Sequence, residues 1–227
     1  MSVIFEDLAV LRGSAGGVPV TAIEPDGHAR GGIVVLHESR EFTSSLLALL
    51  RSLAAEGWIA VAPQLFHREP ADSDAEVFGD NLFADFDGAF DWLIGRGVFA
   101  DCIGVLGFDD AGTAALLVAT NRPVGAAVSV AARGIVDPIN DDAPSLLDAA
   151  PRLQAPWLGL YGADDPEIPT EHVELLRDAV AKADVATNVV SYDGVGHRAD
   201  ETASSDGADA LVDAQTRIFD WFDSNLR

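Results

Sequence analysis

The alternation of short apolar runs with longer segments of helical periodicity constrains the fold of this chain more than any other feature. From residue 31 onward, runs such as "GGIVVL", "WIAVAP" and "PWLGLYG" are separated by segments such as "TSSLLALLRSLAAEG" and "TEHVELLRDAVAKA". A short apolar run without polar alternation is typical of a strand that is buried on both faces. Strands of this kind, separated by helices, predict an α/β fold with a doubly wound, mostly parallel sheet.

Two alternating segments before residue 31 predict an antiparallel hairpin. The segments "SVIFEDLAVL" and "GVPVTAIEP" flank a glycine-rich turn at residues 13–17. A chain of 227 residues with 48% hydrophobic content can bury one sizeable core. We therefore expect one domain over residues 1–227, with the hairpin at its N-terminal end.

Composition excludes several classes of partner. The formal net charge is -23, with 37 acidic residues against 14 lysines and arginines, so a nucleic acid would be repelled. The sequence shows neither a signal-peptide pattern nor an apolar stretch long enough to cross a bilayer. We expect a cytoplasmic protein that binds a small molecule, with no membrane or nucleic-acid partner, as a monomer or small homo-oligomer.

Metal and cofactor binding are not indicated. The chain has a single cysteine, Cys102, and its histidines at positions 28, 67 and 172 share no ligand spacing with each other or with acidic residues. We therefore expect no metal site and no cofactor.

The stretch "GVLGFDDAGTAALLV", residues 104–118, runs from an apolar strand through a tight turn into an apolar helix. Small residues at Gly107, Ala111 and Gly112 suit the strained turn of a nucleophile elbow, which exposes one side chain above the edge of a sheet. The position of that side chain is occupied by Asp109. A carboxylate there can displace a leaving group from a saturated carbon, act as a general base, or cap the following helix without any catalytic role.

An acidic loop and a histidine loop follow the elbow. The segment "ADDPEIP" contains Asp164 and Asp165, and the segment "VGHRAD" contains His197. Nucleophile, acid and histidine in this chain order match the α/β-hydrolase triad, in which the acid fixes the histidine tautomer. Spacing to Pro169 favours Asp165 over Asp164 as the acid.

Five stretches in order resemble the dienelactone hydrolase family of α/β-hydrolases over nearly the whole chain: "GGIVVLHESREF", "LAAEGWIAVAPQLFHRE", "IGVLGFDDAG", "YGADDPEIP" and "DGVGHRA". The resemblance implies an α/β-hydrolase fold and a hydrolase of small molecules. Because 227 residues leave no room for a helical cap, we expect no cap domain. The resemblance also implies that Asp109 stands at the family's cysteine nucleophile, with Asp165 and His197 as its partners and Glu38 as its modulator.

The resemblance further implies an oxyanion hole made by the backbone N–H groups of Ser39 and Asp110. Gln64 stands where the family has an acid, and Glu201 stands where it has a positively charged residue. The acidic Glu201 disfavours the family's carboxylate-bearing lactones, so we expect a neutral or weakly polar substrate. Because Glu38, Asp109 and Asp110 would share one pocket, one of their pKa values should rise. The side chains expected to contact the substrate are His37, Arg40, Arg133 and Arg198.

Three functions remain open at this point. Asp109 can form an alkyl ester as a nucleophile, or it can activate water for attack on a lactone or ester. The third possibility is a catalytically inactive binding or scaffold protein that keeps only the fold.

Overall fold

The computed structural model describes residues 4–13, 16–39, 42–70, 80–141, 143–198 and 205–226. Within them the strands are β1 (Ile4–Val10), β2 (Gly17–Ile23), β3 (Gly31–Leu36), β4 (Trp58–Pro63), β5 (Ile103–Phe108), β6 (Ala126–Val130), β7 (Trp157–Gly162) and β8 (Thr187–Tyr192). The α-helices are α1 (Ser44–Ala55), α2 (Asp80–Gly95), α3 (Asp109–Asn121), α4 (Leu146–Ala149), α5 (Thr170–Val180) and α6 (Ser205–Asn225).

All of these strands form one sheet, in the order β1-β2-β4-β3-β5-β6-β7-β8. The β1 and β2 strands pair antiparallel, β2 pairs antiparallel with β4, and the remaining neighbours are parallel. The predicted N-terminal hairpin and the predicted parallel sheet are both confirmed. Since β3, β5, β7 and β8 run in the same direction, the loops that follow them meet at one edge of the sheet.

Helices cover both faces of the sheet, which explains why its central strands are continuously apolar. Buried side chains of α2, α3 and α5 pack on one face, and those of α1 and α6 pack on the other. Leu50 and Phe222 are fully buried on the second face. The fold is therefore doubly wound, as the sequence predicts.

The ends of α1 follow the local sequence signals. The hydroxyl oxygen of Thr43 accepts a hydrogen bond from the N–H of Leu46 at 3.2 Å, so Thr43 is the N-cap. Gly57 follows the helix with φ +96°, a left-handed conformation that glycine adopts without strain.

The short helix α4 is not predicted by the sequence pattern, which marks residues 133–151 only as irregular. Its four residues are too few to show a helical period. The hydroxyl of Ser145 accepts a hydrogen bond from the N–H of Asp148 at 3.2 Å and caps the helix. None of the described helices is both long and apolar enough to cross a membrane.

Candidate active site

The turn between β5 and α3 has the geometry of a nucleophile elbow. Asp109 has φ +56°, a left-handed conformation that costs a residue with a Cβ about 1–3 kcal/mol. The turn is so tight that a Cβ on Gly107 would lie 2.0 Å from the carbonyl oxygen of Ala111. Only glycine fits at position 107, and the resulting turn places the Asp109 side chain at the edge of the sheet.

Buried hydrogen bonds hold the start of α3 from behind. The indole N–H of Trp157 donates to the hydroxyl of Ser129 at 2.9 Å, and that hydroxyl donates to the carbonyl of Gly112 at 2.7 Å. The hydroxyl of Thr113 donates to the carbonyl of Arg133 at 2.7 Å. The backbone that carries Asp109 is thus fixed to β6, to β7 and to the loop after β6.

His197 lies between two carboxylates. Its Nδ1 is 2.6 Å from Oδ2 of Asp165, and its Nε2 is 2.6 Å from Oδ1 of Asp109. The neighbouring Asp164 points elsewhere, since its Oδ2 accepts a hydrogen bond from the N–H of Gly194 at 3.0 Å. The structure therefore brings Asp165, and not Asp164, into contact with His197.

The charge state of His197 follows from these contacts. Burial by itself lowers the pKa of His197, but the hydrogen bonds to Asp165 and Asp109 and the charges of both carboxylates outweigh it, so the net pKa is raised. An ionised carboxylate can only accept a hydrogen bond. The two carboxylates therefore favour the protonated form of His197, in which each ring nitrogen donates a hydrogen bond.

Arg198 contacts the other oxygen of Asp109. Its Nη1 lies 2.7 Å from Oδ2 of Asp109, and its guanidinium carbon lies 5.2 Å from the centre of the Phe108 ring. The carboxylate of Asp109 is therefore held by two cationic groups. The N-cap position of α3 is Phe108, without a side-chain cap, so Asp109 does not cap this helix, contrary to one of the three alternatives.

Glu38 follows β3 and reaches the elbow from the neighbouring strand. Its Oε1 accepts a hydrogen bond from the backbone N–H of Asp110 at 2.5 Å. Burial and then the charge of Asp110 raise the pKa of Glu38, with a smaller contribution from Asp109, against the opposing effects of the backbone hydrogen bond and of Arg133. The rise in pKa expected for one carboxyl of this group falls on Glu38.

The same contact changes the expected oxyanion hole. The N–H of Asp110 is one of the two donors implied for it, and in this structure that N–H donates to Glu38. The other implied donor, the N–H of Ser39, belongs to the residue directly after Glu38. A substrate oxygen could use the first donor only if Glu38 moved away.

Of the four side chains expected to contact the substrate, two lie near the elbow, one lies in the core and one lies outside the described residues. Arg198 is at the elbow, and Arg133 lies beside it, with Nη2 3.0 Å from Oε2 of Glu167 and Nη1 4.0 Å from Oδ1 of Asp110. Arg40 lies outside the described residues, as does Glu201.

The expectation that His37 contacts substrate is not supported, because the side chain is buried and its ring centre lies 5.3 Å from that of Phe42. Burial lowers the pKa of His37 to about 4, although the nearby backbone groups of Pro63 and Ser39 act to raise it. The ring is therefore neutral at neutral pH. Neither backbone group makes a hydrogen bond of standard geometry to the ring. His37 is a core residue of the β3 end.

Sequence reasoning did not find two contacts of this site: the ion pair between Arg198 and Asp109, and the occupation of the Asp110 N–H by Glu38. The first contact could have been suspected because Arg198 directly follows His197, so both residues belong to the loop that lies over the elbow. Among the described residues, no group of three histidine, cysteine or acidic side chains is arranged to hold a metal ion.

A strained strand-to-helix turn, an acid loop after β7 and a histidine loop after β8, joined by hydrogen bonds in this chain order, define an α/β-hydrolase. Residues 18–226 match the model of the dienelactone hydrolase family, and the chain belongs to that family. It is therefore a hydrolase by class.

Known proteins agree with this assignment. The chain is 31% identical over 205 residues to a candidate carboxymethylenebutenolidase of Salmonella typhimurium, covering 84% of this chain and 76% of the relative. A solved structure of a candidate dienelactone hydrolase from Klebsiella pneumoniae superposes with a TM-score of 0.85 at 27% identity, covering 98% of both chains. A dienelactone hydrolase from Anabaena variabilis, 20% identical, shares the fold with a TM-score of 0.70 and covers 100% of this chain and 99% of that one.

Proposed function

We propose that this protein hydrolyses small neutral molecules that carry a leaving group on a saturated carbon, and that Asp109 forms the covalent intermediate. One observation carries the proposal: Oδ1 of Asp109 lies 2.6 Å from Nε2 of His197, whose other nitrogen contacts Asp165. This is the series of contacts of a nucleophile, base and acid, with a carboxylate in the first place.

The chemistry of a carboxylate selects the reaction. Attack of Asp109 on an ordinary ester carbonyl would give a mixed anhydride while expelling a far more basic alkoxide, so the adduct would return to substrate. Attack on a saturated carbon instead forms a stable alkyl ester as the leaving group departs with its electron pair. The leaving group departs on the side of the carbon opposite Oδ1, away from His197, and takes any proton that it needs from solvent.

The second step then follows from the charge change at Asp109. An alkyl ester is neutral, so one of the charges that raise the pKa of His197 is removed. The ring then releases its Nε2 proton to solvent, and the neutral ring can take a proton from a water molecule whose oxygen attacks the ester carbon of Asp109. Asp165 fixes the ring so that its unprotonated nitrogen faces that water.

The charges around the site favour neutral substrates. The carboxylates of Glu38, Asp110 and Glu167 lie around the elbow, and the two arginines nearby already contact carboxylates. Among the described residues of the site, no unpaired cation would offset this negative potential for an anionic substrate.

Water activation without a covalent ester is the second candidate, and the raised pKa of Glu38 favours it. A carboxyl with a raised pKa exchanges protons closer to neutral pH, as a general base for attack on a lactone requires. The names of the curated relatives, carboxymethylenebutenolidases, also indicate a lactone as the substrate class.

Intact-mass spectrometry of the His197→Gln variant separates the candidates. The variant is incubated with styrene oxide, β-butyrolactone, bromoethanol and p-nitrophenyl acetate, because loss of the base should stop release of an ester. We expect an adduct that peptide mapping places on Asp109 and that the double variant Asp109→Asn, His197→Gln does not form. The neutral side chain at position 109 provides the matched control.

Other results are equally informative. Hydrolysis of the lactone by the unmutated protein without any adduct in His197→Gln would support water activation. Consumption of none of the four probes would contradict both candidates and favour a binding protein, which a thermal shift by ligands recovered unaltered would test.

A further inference from the structure

Hydrolysis of an ester on Asp109 places a transient negative charge on the carbonyl oxygen of Asp109 itself. Backbone N–H groups usually stabilise such a charge in acyl transfer. The N–H of Asp110 is the expected donor, but it lies 2.5 Å from Oε1 of Glu38 and donates to that carboxyl. The developing charge therefore lacks one of the two implied donors in this arrangement.

Arg198 has the position and the charge that this role requires. Its Nη1 is 2.7 Å from Oδ2 of Asp109, whereas His197 contacts Oδ1. The two cationic groups thus take different oxygens of one carboxylate. The face of the Phe108 ring, 5.2 Å from the guanidinium carbon, gives Arg198 a second favourable contact.

We propose that Arg198 is a catalytic residue that stabilises the oxyanion formed on Oδ2 of Asp109 during ester hydrolysis, an inference that rests on the function proposed above. The alkyl group is carried by Oδ1, on the side of His197. Water oxygen bonds to Cγ of Asp109, its proton passes to Nε2 of His197, and the carbonyl electron pair moves to Oδ2. The pair then returns, the bond from Cγ to Oδ1 breaks, and the alkoxide takes the proton from His197.

This role differs from the sequence-based expectation that Arg198 binds substrate. A guanidinium held against Asp109 at 2.7 Å pairs with the enzyme's own carboxylate in the resting state. It stays with Oδ2 when Oδ1 is alkylated, so it is preorganised for the charge that develops there. Arg198 therefore accelerates the breakdown of the ester and not its formation.

The test compares formation and loss of the Asp109 adduct. Unmutated protein, Arg198→Met, Arg198→Gln and Arg198→Lys are mixed with styrene oxide, β-butyrolactone or bromoethanol and followed by intact mass over time. We expect the neutral variants to form the adduct at least as fast as the unmutated protein, because the carboxylate is freed from an ion pair. Its loss should slow by about 10²–10³-fold, as for removal of an oxyanion donor.

The controls separate charge from structure. Arg198→Lys keeps a cation and should lose the adduct at an intermediate rate. Arg217→Gln removes an exposed arginine paired with Asp213 on α6 and should behave as the unmutated protein. Circular dichroism checks the fold of each variant, and two neutral replacements guard against the failure of one to fold.

Two results would overturn the role of Arg198. One is loss of the adduct at the unmutated rate in both neutral variants. The other is absence of the adduct in those variants while His197→Gln still forms it, since Arg198 would then act on attack. If His197→Gln forms no adduct with any probe, the covalent ester does not exist and the proposed function fails with it.

Discussion

Two aspartates contact the same imidazole ring at the same distance of 2.6 Å, yet the regions that carry them are built differently. The acid loop, residues 163–168, holds Asp165 with a side chain that is 1% exposed. Its Oδ1 accepts a hydrogen bond from the backbone N–H of Glu167 at 2.8 Å. Asp165 is therefore anchored by its own loop and shielded from water.

The elbow, residues 107–112, instead carries Asp109 in a strained backbone conformation. Its side chain is 14% exposed, and its second oxygen contacts the guanidinium of Arg198 and not a backbone amide. Burial and a fixed amide suit a carboxylate that only orients a ring. Residual exposure and a cationic side chain as partner suit one that reacts.

Replacing Asp109 should have the largest effect of all. We expect Asp109→Asn to lower kcat/KM on the order of 10⁴-fold, because loss of a nucleophile removes the covalent route. The adjacent Asp110→Asn keeps the backbone donor and removes only a neighbouring charge, so a loss of less than about tenfold is expected. Steady-state kinetics with the most rapidly hydrolysed probe measures both. Equal losses in the two variants would remove the distinction between these carboxylates.

Replacing Asp165 should trap the intermediate that Asp109→Asn cannot form. An amide at position 165 favours the wrong tautomer of His197, and a loss of kcat of roughly 10³-fold or more is expected from that effect. The Asp109 adduct should accumulate in Asp165→Asn. Asp164→Asn is the matched control and should change kcat by less than about threefold, because only an exposed hydrogen bond to Gly194 is lost. An Asp165→Asn variant that forms no adduct would mean that the two aspartates act together in attack.

The strained turn itself can be tested by a stability measurement. A Cβ on Gly107 would meet the carbonyl of Ala111 at 2.0 Å, so Gly107→Ala should lower the free energy of unfolding by roughly 2–4 kcal/mol. Gly95→Ala at the end of α2 has no atom within 4 Å of the added Cβ. Its free energy of unfolding should change by less than about 1 kcal/mol. Urea unfolding of both variants provides the values, and a tolerated Gly107→Ala would show that the elbow is not as tight as described.

The smallest effect concerns the pKa of His197. Removing either carboxylate, in Asp109→Asn or Asp165→Asn, should lower this pKa, which NMR titration of the ring protons reports. Because the folded-state pKa is raised, the contribution of the ring to stability is present below the unfolded pKa of about 6.5 and is lost as pH rises through the folded value. Unfolding of the unmutated protein should therefore become easier over that range. A pKa that both substitutions leave unchanged would contradict the conclusion that the two carboxylates favour the protonated form.

Much of this fold was predictable because it rests on local patterns. The continuous apolar runs mark the buried strands, and the Thr43 cap and Gly57 mark the ends of α1, since each signal lies within the element that it specifies. The helix α4 was not predictable, because a single turn has no period. Chain order and loop position also predicted that Asp109, Asp165 and His197 meet.

The remaining features of the site depend on side-chain direction, which sequence spacing does not encode. The sequence places His37 beside Glu38, but the two side chains leave the β3 end differently: His37 is buried in the core and Glu38 reaches the N–H of Asp110. Likewise, the adjacency of Arg198 to His197 places it in the same loop but does not show that its side chain turns toward Asp109.

A single turnover in water labelled with heavy oxygen tests the central claim most directly. Enzyme in excess is mixed with the most rapidly hydrolysed probe. The masses of peptides containing Asp109 are then measured after one round of hydrolysis. The account predicts that the heavy oxygen enters the Asp109 carboxylate, because water attacks its ester carbon and the product leaves with an original aspartate oxygen. Heavy oxygen found only in the product would contradict a covalent ester on Asp109 and would assign the reaction to direct attack by water.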